Sequence, residues 1–144
     1  REVTYSPIPE SPRGDPGLGG GSRRGMFDGQ DRLWFGGFDG DVIGMLDPSL
    51  PPDRAITLFP TPIPWFQPYM AENDDSGYTW TGSISADHVA RMNEETGEWN
   101  LYLLPSTANI RQIHVQPDEG GGLSSLWVGL NHQGKMVHIE PLDR

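Results

Sequence analysis

Apolar and polar positions alternate in three similar segments of the chain, and each segment is interrupted by a short polar turn. Side chains of a strand point alternately to its two faces, and Asp-Gly and related dipeptides favour tight turns between strands. The pattern therefore predicts three β-hairpins. They comprise Leu33–Leu46, Tyr78–Met92 and Leu126–Ile139.

The three hairpins carry a tryptophan at the same place, namely Trp34, Trp80 and Trp127. These residues are about 46 positions apart, and a repeat of this length is typical of propellers and solenoids. Because an aromatic residue repeated at one place fills the same pocket in each unit, we expect the three indoles to pack between units.

Further short strands flank the hairpins. Each hairpin follows a short apolar strand, and the first two precede a strand that ends in proline, which is typical of a sheet edge. The third unit stops without such a strand, whereas Glu2–Pro9 has the same proline-ended form and predicts a separate outer strand. These patterns predict an all-β chain built from four-stranded antiparallel blades of a β-propeller. The predicted parts are an outer strand at 1–10, a Gly/Pro/Arg-rich loop at 11–24, and blades at 25–62, 63–105 and 106–144, the last lacking its outer strand.

Three blades do not close a ring, since rings of this kind have about four to eight. Either the chain is the C-terminal part of a longer propeller, which we favour, or two copies exchange outer strands to form a six-bladed ring. In both cases the first and last blades leave edges open, and open edges invite pairing. We therefore expect a partner: missing blades, a second copy or another protein subunit.

Composition narrows the classes of partner and location. The 19 Gly and 14 Pro fall between apolar runs, as turn residues do in an all-β protein. A net charge of −10 argues against nucleic acid or an anionic membrane surface as the partner. No apolar run is long enough for a membrane-spanning helix, and no signal peptide opens the chain, so we expect no membrane insertion.

The candidate binding residues are Arg24, Tyr69 and Arg111, which begin the innermost strands of the three blades. Innermost strands line the mouth of a propeller channel, and guanidinium groups bind carboxylate or phosphate bidentately. The pattern thus predicts an anionic small molecule at this mouth. The competing interpretation is that each arginine pairs with a nearby acid such as Asp28 or Glu72.

The sequence predicts no metal site and no catalytic residue. Asp39-Gly40-Asp41 and Asp28–Asp31 place carboxylates close together, as calcium requires, but Asp-Gly is also a common turn and no further ligands follow. The chain has no Cys, no Ser in a G-x-S-x-G elbow and no phosphate-binding loop after Gly19–Ser22. Zinc would need a third ligand beside a histidine pair in neighbouring turns. The histidines are His88 and His132, in such turns, and His114 and His138, in strands.

The repeat resembles the streptogramin lyase (virginiamycin B lyase) family of β-propellers over about residues 25–142. Its blades have the form L-W-F-T-E…I-G-R-I, then L-P-T-P, then P-Y/H-G-I. The matching segments here are Leu33-Trp34-Phe35, Val42–Pro48, Leu58–Pro62 and Gln67-Pro68-Tyr69. The resemblance implies a seven-bladed enzyme that opens a cyclic depsipeptide by elimination at its ester bond. It also implies a Mg²⁺ held by the glutamates of W-F-T-E, a histidine base in P-H-G-I, and a periplasmic or extracellular location.

The implied catalytic residues do not carry over to this chain. The glutamate positions hold Gly37, Ser83 and Leu130, and the histidine positions hold Arg24, Tyr69 and Arg111. We therefore expect a non-catalytic binding or assembly module without a cofactor. The alternative is a magnesium-dependent lyase whose catalytic residues lie outside this chain.

Overall fold

A computed structural model describes residues 2–13, 21–74, 76–120 and 122–142. These residues form strands, turns and extended segments, and none of them forms a helix that could span a membrane. The strands are β1 (Ser22–Phe27), β2 (Leu33–Gly37), β3 (Val42–Leu46), β4 (Ile56–Pro60), β5 (Pro68–Asn73), β6 (Tyr78–Ser83), β7 (His88–Asn93), β8 (Trp99–Leu103), β9 (Ile110–Gln116), β10 (Ser125–Leu130) and β11 (Lys135–Ile139).

The strands are grouped into three blades. An eight-stranded sheet has the order β4-β3-β2-β1-β5-β6-β7-β8, and a three-stranded sheet has the order β11-β10-β9. Strands β1–β4 form blade 1 and β5–β8 form blade 2, both antiparallel, and a short parallel pairing of β1 with β5 joins the two. The predicted all-β fold and the three hairpins are confirmed. The outermost place of β4, which ends at Pro60, and of β8, which precedes Pro105, is also confirmed. Blade 3 has three strands.

The innermost strands β1, β5 and β9 share one irregularity. Each has an extra residue near its start, between the positions paired with the neighbouring hairpin strand. The parallel register pairs Arg24 with Met70, so that Arg23 is the equivalent of Tyr69 and Arg111. The sequence-based alignment of Arg24 with Tyr69 is therefore wrong by one residue, because the register between two strands is set by their pairing in the fold.

The hydrophobic core lies between the blades. Trp34 packs with Ile43, Ala71 and Met92 between blades 1 and 2. Trp80 is the equivalent residue in the larger cluster between blades 2 and 3. Both indoles are buried, with 1% and 0% of their surface exposed, which confirms the expected packing role for these two. A buried indole contributes a large apolar area, so each tryptophan stabilises the layer in which it lies.

The strand predicted at Glu2–Pro9 is not formed. Pro7 and Pro9 lack the N–H groups that a strand needs for pairing. Ser6 and Ile8 instead border a cavity on the open side of blade 1, beside Phe35. In the predicted loop at 11–24, residues 14–20 lie outside the described residues, and 22–24 belong to β1.

Candidate functional site

A glycine follows each repeated tryptophan by two residues. A Cβ atom added at Gly36 would lie 2.5 Å from the carbonyl carbon of Tyr69, and one at Gly82 would overlap Cγ2 of Ile110. In blades 1 and 2 the glycine thus permits the innermost strand of the next blade to approach. At Gly129 an added Cβ would meet, among the described residues, only Sδ of Met136 at 3.8 Å. The same glycine is therefore uncovered in blade 3.

The third tryptophan differs from the other two in the same way. Trp127 is 37% exposed, although its ring is held by a stack on His138 with centroids 4.2 Å apart. Met136, which pairs with Gly129 across β10 and β11, is 67% exposed. We call the surface formed by Trp127, Gly129, Met136 and His138 the outgoing face of blade 3. It corresponds to the faces that blades 1 and 2 bury against the next blade.

Each indole N–H donates a hydrogen bond to the residue just beyond the innermost strand or at its end. Trp34 donates to Asp28 (2.8 Å) and Trp80 to Asp74 (3.0 Å), whereas Trp127 donates to Gln116 (2.7 Å). The aspartates also accept hydrogen bonds from backbone N–H groups of their own turns. Each aspartate therefore links its turn to the buried tryptophan. This explains the Asp28–Asp31 segment as a turn. The repeated Asp–Trp pair is a feature that the sequence interpretation missed.

The carboxylate of Asp28 is almost fully buried. Burial acts to raise its pKa, but hydrogen bonds from Trp34, from the Arg32 and Gln30 backbone and from the Arg32 guanidinium outweigh that effect. The pKa of Asp28 is therefore held below its ordinary value. The ionised form is the stable one in the folded chain.

The hairpin turns hold the segments that cross to the next blade. Asp41 accepts a hydrogen bond from the N–H of Gln67 (2.8 Å), and Asp87 accepts one from Ala108 (2.7 Å). Both aspartates have positive φ, 54° and 52°, and the equivalent residue in blade 3 is Gly134 at 60°. The Asp39-Gly40-Asp41 segment is thus a turn, as predicted, with a second role in joining blades.

The structure brings the three predicted binding residues together. The guanidinium of Arg24 lies 5.6 Å from the ring centroid of Tyr69. Its Nη1 donates to the side-chain oxygen of Gln112 (2.7 Å) and to the backbone oxygen of Arg111 (3.4 Å). Blade 1 therefore reaches blade 3 across the innermost strands. Whether this group binds an anion is not tested by these contacts and stays a prediction.

Neither acid named as an alternative partner pairs with these arginines. Asp28 pairs with Arg32 at 2.7 Å, and Glu72 lies 3.4 Å from Nδ1 of His114. Burial raises the pKa of Glu72, and a backbone hydrogen bond from Val115 and the nearby His114 oppose the rise only in part. The burial of Glu72 could not be foreseen from the sequence, because it depends on the packing of β9, which supplies Val115 and His114.

A cavity of about 540 Å³ lies beside the arginine group. It is bordered by Arg24, Arg111, Gln112, Asn131 and Lys135, and no acidic residue is among the described residues of its lining. Lys135 is the only lysine of the chain, and sequence reasoning did not select it. Its position directly after the turn at Gly134 is the sequence feature that could have placed it at the same end of the blade as Arg111.

The histidines and the resemblance-derived positions form no metal centre in the described part of the chain. No group of three or more His, Asp or Glu side chains converges among the residues described. Of the positions that hold glutamate in the lyase pattern, Ser83 is buried and donates to the Phe66 carbonyl (2.6 Å), and Leu130 is 2% exposed. His88 contacts the backbone oxygen of Ala86, and His138 stacks on Trp127.

Comparisons with known proteins identify the fold. No protein-family model and no curated protein matches the sequence. The virginiamycin B lyase from Staphylococcus aureus, in its selenomethionine form, superimposes with a TM-score of 0.63 at 16% identity, covering 85% of this chain and 42% of that one. A catalytically inactive variant of that lyase with quinupristin gives 0.62 at 16% identity, with coverages of 85% and 42%. A streptogramin B lyase structure gives 0.62 at 17% identity, with coverages of 90% and 43%.

These likenesses confirm the predicted streptogramin lyase-like propeller fold. The chain spans about two fifths of the length of the lyase structures that it matches. Because the identity is low, the likeness concerns the fold, and the fold alone does not carry an activity.

Proposed function

We propose that the chain is a binding and assembly module of a β-propeller, completed at the outgoing face of blade 3 by further blades or by another subunit. The observation that carries the proposal is Gly129. The equivalent Gly36 and Gly82 each receive the innermost strand of a following blade, whereas Gly129 retains the same shape without that contact. A surface kept in the form of a blade interface is suited to bind a blade.

The rest of the face supports the same occupant. A docked blade would cover the exposed parts of Trp127 and Met136, and apolar area removed from water contributes roughly 25 cal/mol per Å². Strand β11 is the outer edge of a three-stranded sheet, where blades 1 and 2 have a fourth strand. A partner that also supplies this strand would satisfy the unpaired backbone groups of the edge.

The experiment measures molar mass by light scattering at increasing concentration of the chain. We expect the isolated chain to self-associate, because the outgoing face of blade 3 exposes apolar surface and β11 is an unpaired strand edge. Met136→Lys places a charge on the outgoing face and should return the chain to one copy. Leu103→Lys is the matched control, since Leu103 is 71% exposed on the outermost strand of blade 2.

Two results would contradict the proposal. One is a native chain that keeps the mass of a single copy throughout the concentration range. The other is association that persists in Met136→Lys and disappears in Leu103→Lys, because the contact would then lie at the outer edge of blade 2. Circular dichroism of both variants shows whether the strands are retained.

The fold likeness favours a second candidate, a magnesium-dependent lyase that acts on the ester bond of a cyclic depsipeptide. In this candidate the catalytic residues come from blades outside the chain, because Gly37, Ser83 and Leu130 offer no carboxylate to a metal. We expect no Mg²⁺ binding by titration calorimetry and no opening of quinupristin by the chain alone. Magnesium-dependent opening by the isolated chain would overturn the non-catalytic assignment. A periplasmic or extracellular location is proposed from the same likeness.

A further inference from the structure

The cationic side chains of this acidic protein fall into two groups. Arg23 pairs with Asp39 (3.2 Å), and Arg32 pairs with Asp28 (2.7 Å) and Glu94 (3.0 Å). In contrast, Arg24, Arg111 and Lys135 have no ion pair with a carboxylate in the described parts of the chain, although the net charge is −10. All three border one cavity, of about 540 Å³. Arg13 and Arg54 also have no carboxylate partner among the described residues, but neither borders this cavity. The cavity therefore gathers three cationic side chains that no described carboxylate neutralises.

The two guanidinium groups are positioned by hydrogen bonds rather than left free to rotate. Arg24 lies over the Tyr69 ring and donates to Gln112. Arg111 donates through Nε to the side-chain oxygen of Asn109 at 3.1 Å. The same oxygen accepts the amide N–H of Asn131 at 3.3 Å, which places a third polar group beside the arginine. Side chains held in this way lose less freedom when a ligand binds.

The donors that remain determine the class of ligand. A guanidinium has five N–H donors and an ammonium has three, and neither can accept a hydrogen bond. The bonds above use Nη1 of Arg24 and Nε of Arg111, so the other nitrogens of both groups and Nζ of Lys135 can face the cavity. Donors on three separate cations match a ligand with two negative charges and several oxygens better than a single carboxylate. The cavity is widely open to solvent, so a ligand bound there would remain partly hydrated until a partner covers it.

We infer that the cavity bordered by Arg24, Arg111 and Lys135 binds a small dianion, of which phosphate monoesters and dicarboxylates share the required chemistry. The inference deepens the proposed function, since it names the ligand class of the binding module. Gly129 and Met136 also border the cavity, so its open side adjoins the outgoing face. A docked blade would then shield the ligand from solvent at the junction of the two blades.

The test is titration calorimetry of the chain with inorganic phosphate and, separately, with succinate, at constant ionic strength. We expect saturable binding of at least one dianion. The titration with the higher affinity then shows whether the site prefers a phosphate or a dicarboxylate. Arg111→Gln and Lys135→Gln should each weaken that binding about tenfold, the effect of one charge-assisted hydrogen bond in a partly solvated site. Arg54→Gln is the control, an exposed arginine in the segment between β3 and β4 that removes the same charge.

Two outcomes would overturn the inference. The first is the absence of saturable binding in both arms. The second is an equal loss in Arg54→Gln and Arg111→Gln, which would indicate a general effect of net charge. This result is independent of the assembly proposal, because molar mass and anion binding are measured separately. A monomeric chain that binds phosphate would refute only the assembly proposal. An associating chain that binds no dianion would refute only this site.

Discussion

Alanine substitution of the repeated glycines separates a covered blade face from an uncovered one. In Gly36→Ala the new methyl group would lie 2.5 Å from the carbonyl carbon of Tyr69, and this neighbour is backbone of the next blade. Overpacking of this kind costs about 1–3 kcal/mol. Alanine also has less conformational entropy than glycine in the unfolded chain, which stabilises the folded state by about 0.4–1 kcal/mol. We therefore expect Gly36→Ala to lower the free energy of unfolding by roughly 1–2 kcal/mol.

The same change in blade 3 should have the opposite sign. In Gly129→Ala the methyl group meets Sδ of Met136 at 3.8 Å, an ordinary van der Waals distance. Only the unfolded-state effect remains, so this variant should be more stable by about 0.4–1 kcal/mol. Gly82→Ala should be about as costly as Gly36→Ala, because its methyl group would overlap Cγ2 of Ile110 and lie 2.9 Å from Cβ of that buried residue, which cannot move without the backbone of β9.

The assay is urea unfolding followed by tryptophan fluorescence, with thermal unfolding as a second readout. The destabilisation of Gly36→Ala corresponds to a fall in Tm of about 3–6 °C for a chain of this size. Measurements are made at a concentration where the chain is monomeric. The reasoning is refuted if Gly129→Ala is as costly as Gly36→Ala, since its surroundings would then be closed. It is also refuted if Gly36→Ala is neutral, since blades 1 and 2 would then not be in tight contact.

Three further substitutions test the contacts within and between blades. Asp28→Asn should lower the free energy of unfolding by about 1–3 kcal/mol at pH 7, because it removes the carboxylate that accepts the Trp34 hydrogen bond. Since folding lowers the pKa of Asp28 from 3.8, the native chain loses this stabilisation below that pH, and the difference between the two chains should shrink there. Glu72→Gln should be at least as stable as the native chain at pH 7, because burial raises the pKa of Glu72 and so disfavours its ionised form in the folded chain. The native chain loses stability as the pH rises from 4.5 through the raised pKa, so the difference in stability between the two chains should vanish at lower pH. Asp87→Ala should cost about 1–2 kcal/mol, since the N–H of Ala108 loses its acceptor. Urea midpoints at pH 3, 4.5 and 7 check all three.

The strands could be predicted from the sequence because their signals are local. Alternation of apolar residues, tight turns and proline at outer edges identified the hairpins and the order of strands within a blade. The repeat of Trp34 and Trp80 identified the core between blades. These features depend on neighbours within a few residues, and sequence patterns describe such neighbours directly.

The remaining features depend on partners far apart in the chain. The equivalence of Arg23, rather than Arg24, with Tyr69 is a matter of strand register, which appears only when β1 pairs with β5. The segment Glu2–Pro9 has the composition of an edge strand, but whether such a segment pairs depends on the part of the fold that it meets. Arg24 borders the same cavity as Lys135 because blade 1 and blade 3 meet at the innermost strands.

The molar mass of the native chain as a function of concentration tests the assembly account most directly. One copy has a mass of 15.9 kDa. Because the outgoing face keeps the form of a blade interface, we predict a mass that rises above this value as concentration increases. A mass of 15.9 kDa that stays constant over the whole range would contradict the account.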